Sequence, residues 1–192
     1  MSKQSNKPYS ILYIAGYGHS GTTILDILLG STPDAFSIGE LTHLVRPGFL
    51  KEYCSCNTPI EECTFWSEVY ERWHKKIHFS PEEYRALRHA FDNNKTYFSA
   101  LRGRFAPSAK FLRYAKLTEA LYDAIHEVSG AAVLIDSSKS PSRPLVLSHF
   151  APVRLLHVKR NFSGVANSEQ KDIRVDLSKG LEAASPPKAL HK

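Results

Sequence analysis

Cysteine is scarce in this chain, and long apolar runs are missing. The three cysteines among 192 residues are odd in number and lie within ten residues of one another, which excludes a small secreted domain stabilised by many disulfides. The apolar run at residues 11–15 is too short for the core of a signal peptide or for a membrane span. We therefore expect a cytoplasmic protein with no membrane span.

Basic charge is present but is not concentrated in one run. Lys and Arg number 25 against 19 Asp and Glu, which gives a formal net charge of +6. That balance suits an anionic ligand, whereas a nucleic-acid-binding domain typically gathers its basic residues into one patch or stripe. We expect a small anionic ligand and no nucleic acid.

Internal repeats and low-complexity tracts are also absent, and short apolar runs alternate with helical patterns. Residues 10–15, 131–136 and 153–159 are typical of buried strands, and segments with helical spacing separate them. This alternation predicts a three-layer α/β fold with a mostly parallel sheet and helices on both faces. We expect a single domain over residues 1–171, followed by a weakly ordered tail over residues 172–192.

The segments between these strands differ in how clearly their sequences predict helices. Ser80, Pro81 and Glu83 form a capping box with a proline at the first helical position, which predicts a helix start. Residues 34–64 contain Pro47, Gly48 and Pro59 and show no period, so we predict loops there, with one helical turn around Glu40. The other predicted helices cover residues 22–29, 65–77, 108–129 and 142–150.

The stretch GYGHSGTTILDILLG, residues 16–30, lacks the lysine of a triphosphate-binding loop. Such loops read G-x-x-x-x-G-K-[ST], and here Gly16 and Gly21 keep the glycine spacing while Thr22 and Thr23 follow. A glycine turn between a strand and a helix leaves backbone N–H groups free at the positive end of the helix, so it can bind an anion. The alternative is a turn that only packs well.

The side chains of this loop add to its backbone groups. Gly18 permits tight turning and a close approach of the ligand. Ser20, Thr22 and Thr23 carry hydroxyl donors, and His19 is the one side chain in the loop that can carry a full charge. We predict that these groups hold the anion.

A second candidate group follows the last predicted strand. Arg160 stands at the end of that strand, and Ser168 comes eight positions later, about two turns into the next helix. An arginine can bind a phosphate with two parallel hydrogen bonds, and the serine can donate another. Taken alone, such an arginine is more often solvated or paired with a carboxylate.

Together, these two groups resemble the bacterial type of the sulfotransferase family that uses 3'-phosphoadenosine 5'-phosphosulfate (PAPS). The phosphosulfate loop of that family reads [KR]-S-G-T-T, which is matched here by HSGTT, residues 19–23. Its 3'-phosphate site is an arginine at a strand end with a serine eight residues later, matched by Arg160 and Ser168. The stretches SIGEL, CSCNTPIEECTFW and VLIDSSKSP also resemble the family, so the likeness extends from residue 11 to residue 168.

The resemblance implies a P-loop NTPase-like fold and a sulfotransferase that moves the sulfuryl group of PAPS to a hydroxyl or amine by in-line transfer, without a metal. The acceptor would be a small molecule, a glycan or a peptide. The implied phosphosulfate and 3'-phosphate ligands are Gly18, His19, Ser20, Gly21, Thr22, Thr23, Arg160 and Ser168.

Two catalytic residues are implied by the same resemblance. His19 stands where the family usually places Lys or Arg, and two neighbouring anions would favour its charged imidazolium form. Glu40 matches a catalytic glutamate of tyrosylprotein and related sulfotransferases, which implies a general base that takes the acceptor proton. The alternative for Glu40 is a carboxylate placed at a helix N-terminus.

Two other functions are open. One is a P-loop kinase or NTPase with a degenerate loop, in which Asp136 would act like the Walker B aspartate that holds magnesium; we predict a structural role for Asp136 instead. The other is a non-catalytic nucleotide-binding module, because members of the resembled family are typically longer and we expect truncation at the C-terminus.

Several further polar residues have no assigned role at this point. Ser137, Ser138 and Lys139 follow a predicted strand and could line a cofactor or acceptor cleft. The cysteine group C-x-C-x6-C lacks the paired C-x2-C spacing of a closed structural zinc site. Cys54, Cys56 and Cys63 are therefore predicted to be free thiols or to form one disulfide, unless His43 or His74 completes a zinc site.

Overall fold

The computed structural model describes residues 7–45, 52–93 and 95–169, except for the side chains of residues 162 and 167–169. The predicted tail, residues 172–192, lies outside this range. The described part of the chain forms an α/β fold whose four strands make one all-parallel sheet in the order β2-β3-β1-β4. The prediction of an α/β fold with a parallel sheet is confirmed. The strands are β1 (Ser10–Gly16), β2 (Ala35–Gly39), β3 (Val133–Asp136) and β4 (Val153–Val158).

Helices follow the strands or fill the long segment between β2 and β3. Two 3-10 turns, Leu41–His43 and Ile60–Glu62, precede that group. Among the described residues, no helix is both long and apolar enough to cross a bilayer. The helices are α1 (Thr22–Gly30), α2 (Thr64–Lys76), α3 (Pro81–Phe91), α4 (Tyr97–Phe105), α5 (Ala109–Ser129), α6 (Arg143–Leu147) and α7 (Phe162–Glu169).

Local sequence signals explain where several helices begin and end. The Ser80 hydroxyl accepts a hydrogen bond of 3.1 Å from the Glu83 backbone N–H at the start of α3, as the capping box predicts. The Ser108 hydroxyl caps α5 in the same way by accepting from Phe111 N–H at 3.2 Å. Gly130 ends α5 in the left-handed conformation, with φ 69°.

The largest apolar cluster lies between one face of the sheet and the helices α2, α3 and α5. Ile11 and Tyr13 of β1 belong to it together with Leu121 of α5. Trp73 of α2 is buried in the same cluster, and its ring N–H donates to the Leu117 carbonyl at 2.8 Å. Because side chains alternate along a strand, the intervening residues of β1 face the other side of the sheet, against which α1 packs.

Two elements were not predicted from the sequence. β2 lies in the segment expected to form loops, and α4 lies in a segment with no expected helix. β2 has only Ile38 fully buried, so it lacks a strong apolar pattern, and it is held by its pairing with β3. α4 exposes Phe98 and Phe105 and buries only small residues, which leaves no apolar stripe to recognise.

Candidate functional site

The candidate anion loop joins β1 to α1 at the carboxyl edge of the sheet. Gly16 lies so close to its neighbours that an added Cβ would stand 2.9 Å from Thr22 Cγ2 and 3.0 Å from the Val158 carbonyl oxygen. Thr22 is 2% exposed. The close contact between β1, β4 and the first residue of α1 therefore requires glycine at position 16.

The N-terminus of α1 is left without a side-chain cap. Gly21 occupies the N-cap position in the left-handed conformation, with φ 89°, and glycine has no side chain to accept a hydrogen bond from the first turn. The first turn also contains no acidic residue. In α3 and α5, by contrast, a serine at the N-cap position accepts a hydrogen bond from a backbone N–H of the first turn. The start of α1 thus keeps the positive dipole end and the backbone donors that suit an anion.

Ser20 and His19 occupy different positions in this loop. Ser20 is buried, and its backbone N–H donates to the Tyr17 carbonyl at 3.3 Å. His19 is exposed and adopts the left-handed conformation, with φ 62°, which is uncommon for residues other than glycine. The imidazole therefore stands at the solvent side of the turn.

Arg160 reaches this loop across a sequence separation of 141 residues. Its Nη1 donates to the His19 carbonyl at 2.9 Å. The arginine side chain lies across Gly164 of α7, where an added Cβ would stand 2.8 Å from the Arg160 Nε. The two sequence groups that carry the sulfotransferase resemblance are thereby in direct contact.

A cavity of about 460 Å³ lies beside this contact, between the loop, the end of β4 and α7. Its lining includes Tyr17 and Ser20 from the loop and the basic group His157, Lys159 and Arg160 from the end of β4. Basic and hydroxyl groups around a cavity next to an uncapped helix N-terminus suit a ligand with more than one anionic group.

Ser168 lies in α7 (Phe162–Glu169), so its chain position places it on the helix that follows Arg160. Its side chain lies outside the described residues. The predicted pairing of Ser168 with Arg160 on one phosphate therefore stays a prediction.

Glu40 follows β2 at the same edge of the sheet, where Lys139 and His43 hold it. Its Oε1 accepts from the Lys139 ammonium, and its Oε2 lies 3.1 Å from His43 Nε2. The hydrogen bond from His43, with the Lys139 contact adding to it, lowers the pKa of the Glu40 carboxyl from 4.5 to about 2. A carboxylate with so low a pKa is a weak proton acceptor.

The distance between Glu40 and the anion loop follows from the strand order. β3 lies between β2 and β1, so the ends of β2 and β1 are two strand spacings apart, about 10 Å. Lys139 follows β3 and therefore stands between Glu40 and the loop in the order of the sheet. Sequence reasoning placed Lys139 among the residues that could line a cleft, but nothing in the local pattern indicated its ion pair with Glu40.

The serines before Lys139 tie together the elements at this edge. The Ser137 hydroxyl donates to Asp26 of α1 at 3.0 Å, and the Ser138 hydroxyl accepts from the Thr42 backbone N–H at 3.2 Å. Burial raises the pKa of the Asp26 carboxyl. Both serines are buried, and their hydroxyls join β3 to α1 and to the turn after β2.

Asp136 at the end of β3 belongs to a buried ionic network. One of its oxygens accepts from the Ser138 backbone N–H at 2.8 Å, and the other accepts from Arg143 Nε at 2.6 Å and from the Tyr122 hydroxyl. Arg143 also pairs with Asp92, and all three charged side chains are at most 1% exposed. Because both oxygens of Asp136 are engaged inside the protein, the residue is poorly placed to hold a magnesium ion as a Walker B aspartate would.

The three cysteines converge at the start of α2. The sulfur of Cys63 lies 3.5 Å from that of Cys54 and 3.6 Å from that of Cys56. They form the one potential metal-binding group among the described residues, and neither His43 nor His74 is part of it. The cluster is separate from the anion loop and contains only thiols.

Comparison of the chain with protein-family models, with curated proteins and with solved structures found no match.

Proposed function

We propose that this protein is a cytoplasmic PAPS-dependent sulfotransferase with a three-layer, P-loop NTPase-like fold. The observation that carries the proposal is the hydrogen bond between Arg160 and the His19 carbonyl, which joins two sequence groups 141 residues apart. The parallel pairing of β1 with β4, with Gly16 opposite Val158, brings the end of β4 beside the loop, and the Arg160 side chain turns onto it.

The geometry of the loop and the cavity suits a ligand with a phosphosulfate and a second phosphate better than it suits a triphosphate. The loop has no lysine, and the buried Asp136 has no free oxygen for magnesium, so two groups that a nucleotide triphosphatase needs are missing. In their place the cavity offers Arg160 and Lys159, which follow β4 beside the loop. An arginine there suits the 3'-phosphate that distinguishes PAPS from ATP.

The proposed roles follow the positions of the groups. The backbone and hydroxyls of residues 18–23 bind the 5'-phosphosulfate, and Arg160 with Ser168 binds the 3'-phosphate. His19, as imidazolium, stabilises the charge that builds on the sulfuryl group and its bridging oxygen. A metal is not part of this proposal, because the helix N-terminus and basic side chains supply the positive charge.

Glu40 is proposed as the general base, with one condition that its contacts impose. Held by Lys139 and His43, its carboxylate is too weakly basic, and it must be freed from at least one of them when the acceptor binds. Lys139 would then be available to the sulfuryl group as a second cation. The acceptor is a hydroxyl or amine of a small molecule, a glycan or a peptide.

A thermal-shift comparison tests the cofactor class. We expect the desulfated product, 3'-phosphoadenosine 5'-phosphate, to raise the Tm, because a ligand that binds only the folded state stabilises it. ATP with magnesium should give little or no shift. The reverse ranking would support the kinase or NTPase alternative and contradict the proposal.

Transfer of label from PAPS to a panel of alcohols, phenols, amines and sugars tests the reaction itself. Transfer to any acceptor supports the proposal. Tight binding of PAPS with no transfer to any of them would favour the alternative of a non-catalytic nucleotide-binding module.

A further inference from the structure

All three cysteines of the chain meet at one point, away from the proposed cofactor site. Their sulfur atoms lie within 4.8 Å of one another, and the two distances from the Cys63 sulfur are 3.5 Å and 3.6 Å. A chain with only three cysteines has no need to bring every one of them together for packing alone.

The backbone around Cys54 and Cys56 forms a short ribbon with a tight turn. The Cys54 N–H donates to the Thr58 carbonyl at 2.8 Å, and the Asn57 N–H donates back to the Cys54 carbonyl at 2.9 Å. Asn57 turns the chain in the left-handed conformation, with φ 63°, and a bridge between Tyr53 and Pro59 closes the ribbon. This turn places both thiols on the side that faces Cys63.

Cys63 approaches the same point from a different element. It follows the 3-10 turn Ile60–Glu62 and occupies the N-cap position of α2. The cluster therefore joins a ribbon that has little apolar packing of its own to the first turn of a core helix.

The spacing of the sulfurs suits a tetrahedral metal ion. With zinc–sulfur bonds of about 2.3 Å, tetrahedral geometry sets neighbouring sulfurs about 3.8 Å apart, close to the distances observed. A disulfide, with sulfurs about 2.05 Å apart, would engage two of the cysteines and leave the third unused. A triangle of three thiols is better explained by an ion that binds them all.

The exposure of the three thiols also suits metal binding. Cys63 is buried, Cys54 is half-buried and Cys56 is exposed, so the fourth coordination position opens towards solvent and can take a water molecule. The Cys56 sulfur also lies 3.0 Å from the Thr58 hydroxyl. Thiolate ligands favour soft or borderline ions, and zinc accepts four-coordinate thiolate sites without any redox change.

We propose that Cys54, Cys56 and Cys63 bind one Zn²⁺ as a three-thiolate site that fixes the ribbon to the N-terminus of α2. Binding releases the thiol protons to solvent, and a water molecule completes the coordination. The site does not depend on the proposed sulfotransferase function.

Metal titration of the full chain, reduced and stripped with a chelator, tests this site. We expect one zinc per chain by elemental analysis after removal of excess metal. Cobalt, used as a spectroscopic substitute, should give a thiolate-to-metal charge-transfer band that zinc then removes. The Cys56→Ser variant, which changes an exposed side chain, should lose the band, and Ser55→Ala should keep it as a matched control in the same turn.

Thiol modification gives a readout that needs no variant. Zinc should slow the reaction of the three cysteines of the wild-type chain with iodoacetamide by at least tenfold and should raise its Tm. If the reduced chain binds no zinc and its thiols react equally fast with and without the metal, the proposal is wrong. Formation of a disulfide among these cysteines at the same rate with zinc as without it would also contradict the proposal.

Discussion

At the scale of single residues, Arg160 carries most of the functional argument. It is an exposed arginine just after an edge strand, and its hydrogen bond to the His19 carbonyl places it beside the candidate anion loop. Gly164 leaves room for the arginine side chain to lie over α7. The direction of the guanidinium is thus set by a loop from the first strand and a helix from the end of the described chain.

Replacement of Arg160 by alanine should weaken binding of 3'-phosphoadenosine 5'-phosphate by about tenfold to a hundredfold, because a charge-assisted hydrogen bond contributes about 1.5–3 kcal/mol. Affinity for adenosine 5'-phosphate, which lacks the 3'-phosphate, should change little. Isothermal titration calorimetry on both ligands measures the difference.

Arg154, an exposed arginine on the same strand, provides the control. Arg154→Ala should leave both affinities unchanged. Equal losses for the two ligands in Arg160→Ala would show that the arginine supports the loop and does not recognise the 3'-phosphate.

At the scale of elements, the contacts of Glu40 with a lysine and a histidine join the ends of β2 and β3. Glu40 after β2 pairs with Lys139 after β3 and with His43 in the adjoining 3-10 turn. The pairing holds the polar turn of residues 137–140 against the edge of the sheet. It also keeps Glu40 ionised and weakly basic in the free protein.

This pairing predicts a pH dependence of stability. The pKa of Glu40 is lower in the folded chain, about 2, than its ordinary value of 4.5, so the folded state binds fewer protons there than the unfolded state. The stabilisation is present above pH 4.5 and is lost as the pH falls towards about 2. Denaturant unfolding at several pH values should show a wild-type advantage over Glu40→Gln that is constant above this window and shrinks within it.

Glu61 offers a matched comparison, because its side chain is exposed in the next 3-10 turn. The Glu61→Gln variant should follow the wild-type pH profile. If the free energy of unfolding of the wild type exceeded that of Glu40→Gln by more at low pH than at neutral pH, the stabilisation of the Glu40 carboxylate by Lys139 and His43 would be contradicted.

Helices and strands were predicted correctly where the residues that determine them are adjacent in the sequence. The capping box at Ser80 and the glycine at position 130 are local, so the ends of α3 and α5 followed from them. β2 was missed because its main support is its pairing with β3. Ala35 of β2 lies opposite Val133 of β3, almost a hundred residues later in the chain. Pairing between distant segments has no local signature in five residues of mixed polarity.

At the scale of the whole molecule, a buried network connects the helical segment to the sheet. Arg143 of α6 pairs with Asp136 at the end of β3 and with Asp92 after α3, and none of the three is more than 1% exposed. Tyr114 and Tyr122 of α5 donate to the two carboxylates, and burial beside those charges raises the pKa of both phenols. Charges so deeply buried are stable only with all their partners present.

Substitution of Arg143 by methionine should therefore lower the free energy of unfolding by about 3–5 kcal/mol, because it leaves two buried carboxylates without a counter-charge. Denaturant unfolding followed by circular dichroism measures the loss. Arg102→Met, on the exposed side of α4, should cost little. A loss in Arg143→Met as small as that of Arg102→Met would mean that the network contributes no net stability.

The sequence by itself determined the strand, glycine loop and helix that form the candidate anion site. It also determined the capped helices and the parallel character of the sheet, because each is encoded in adjacent residues or in a regular period. Tertiary structure alone decided the rest of the site. It brought Arg160 onto the loop, paired Glu40 with Lys139, buried Asp136 beside Arg143 and gathered the three cysteines. The contacts of Arg160 and Glu40 join segments 141 and 99 residues apart, and those of Asp136 and the cysteines depend on how the turns between neighbouring residues fold. No period or spacing in the sequence predicts such contacts.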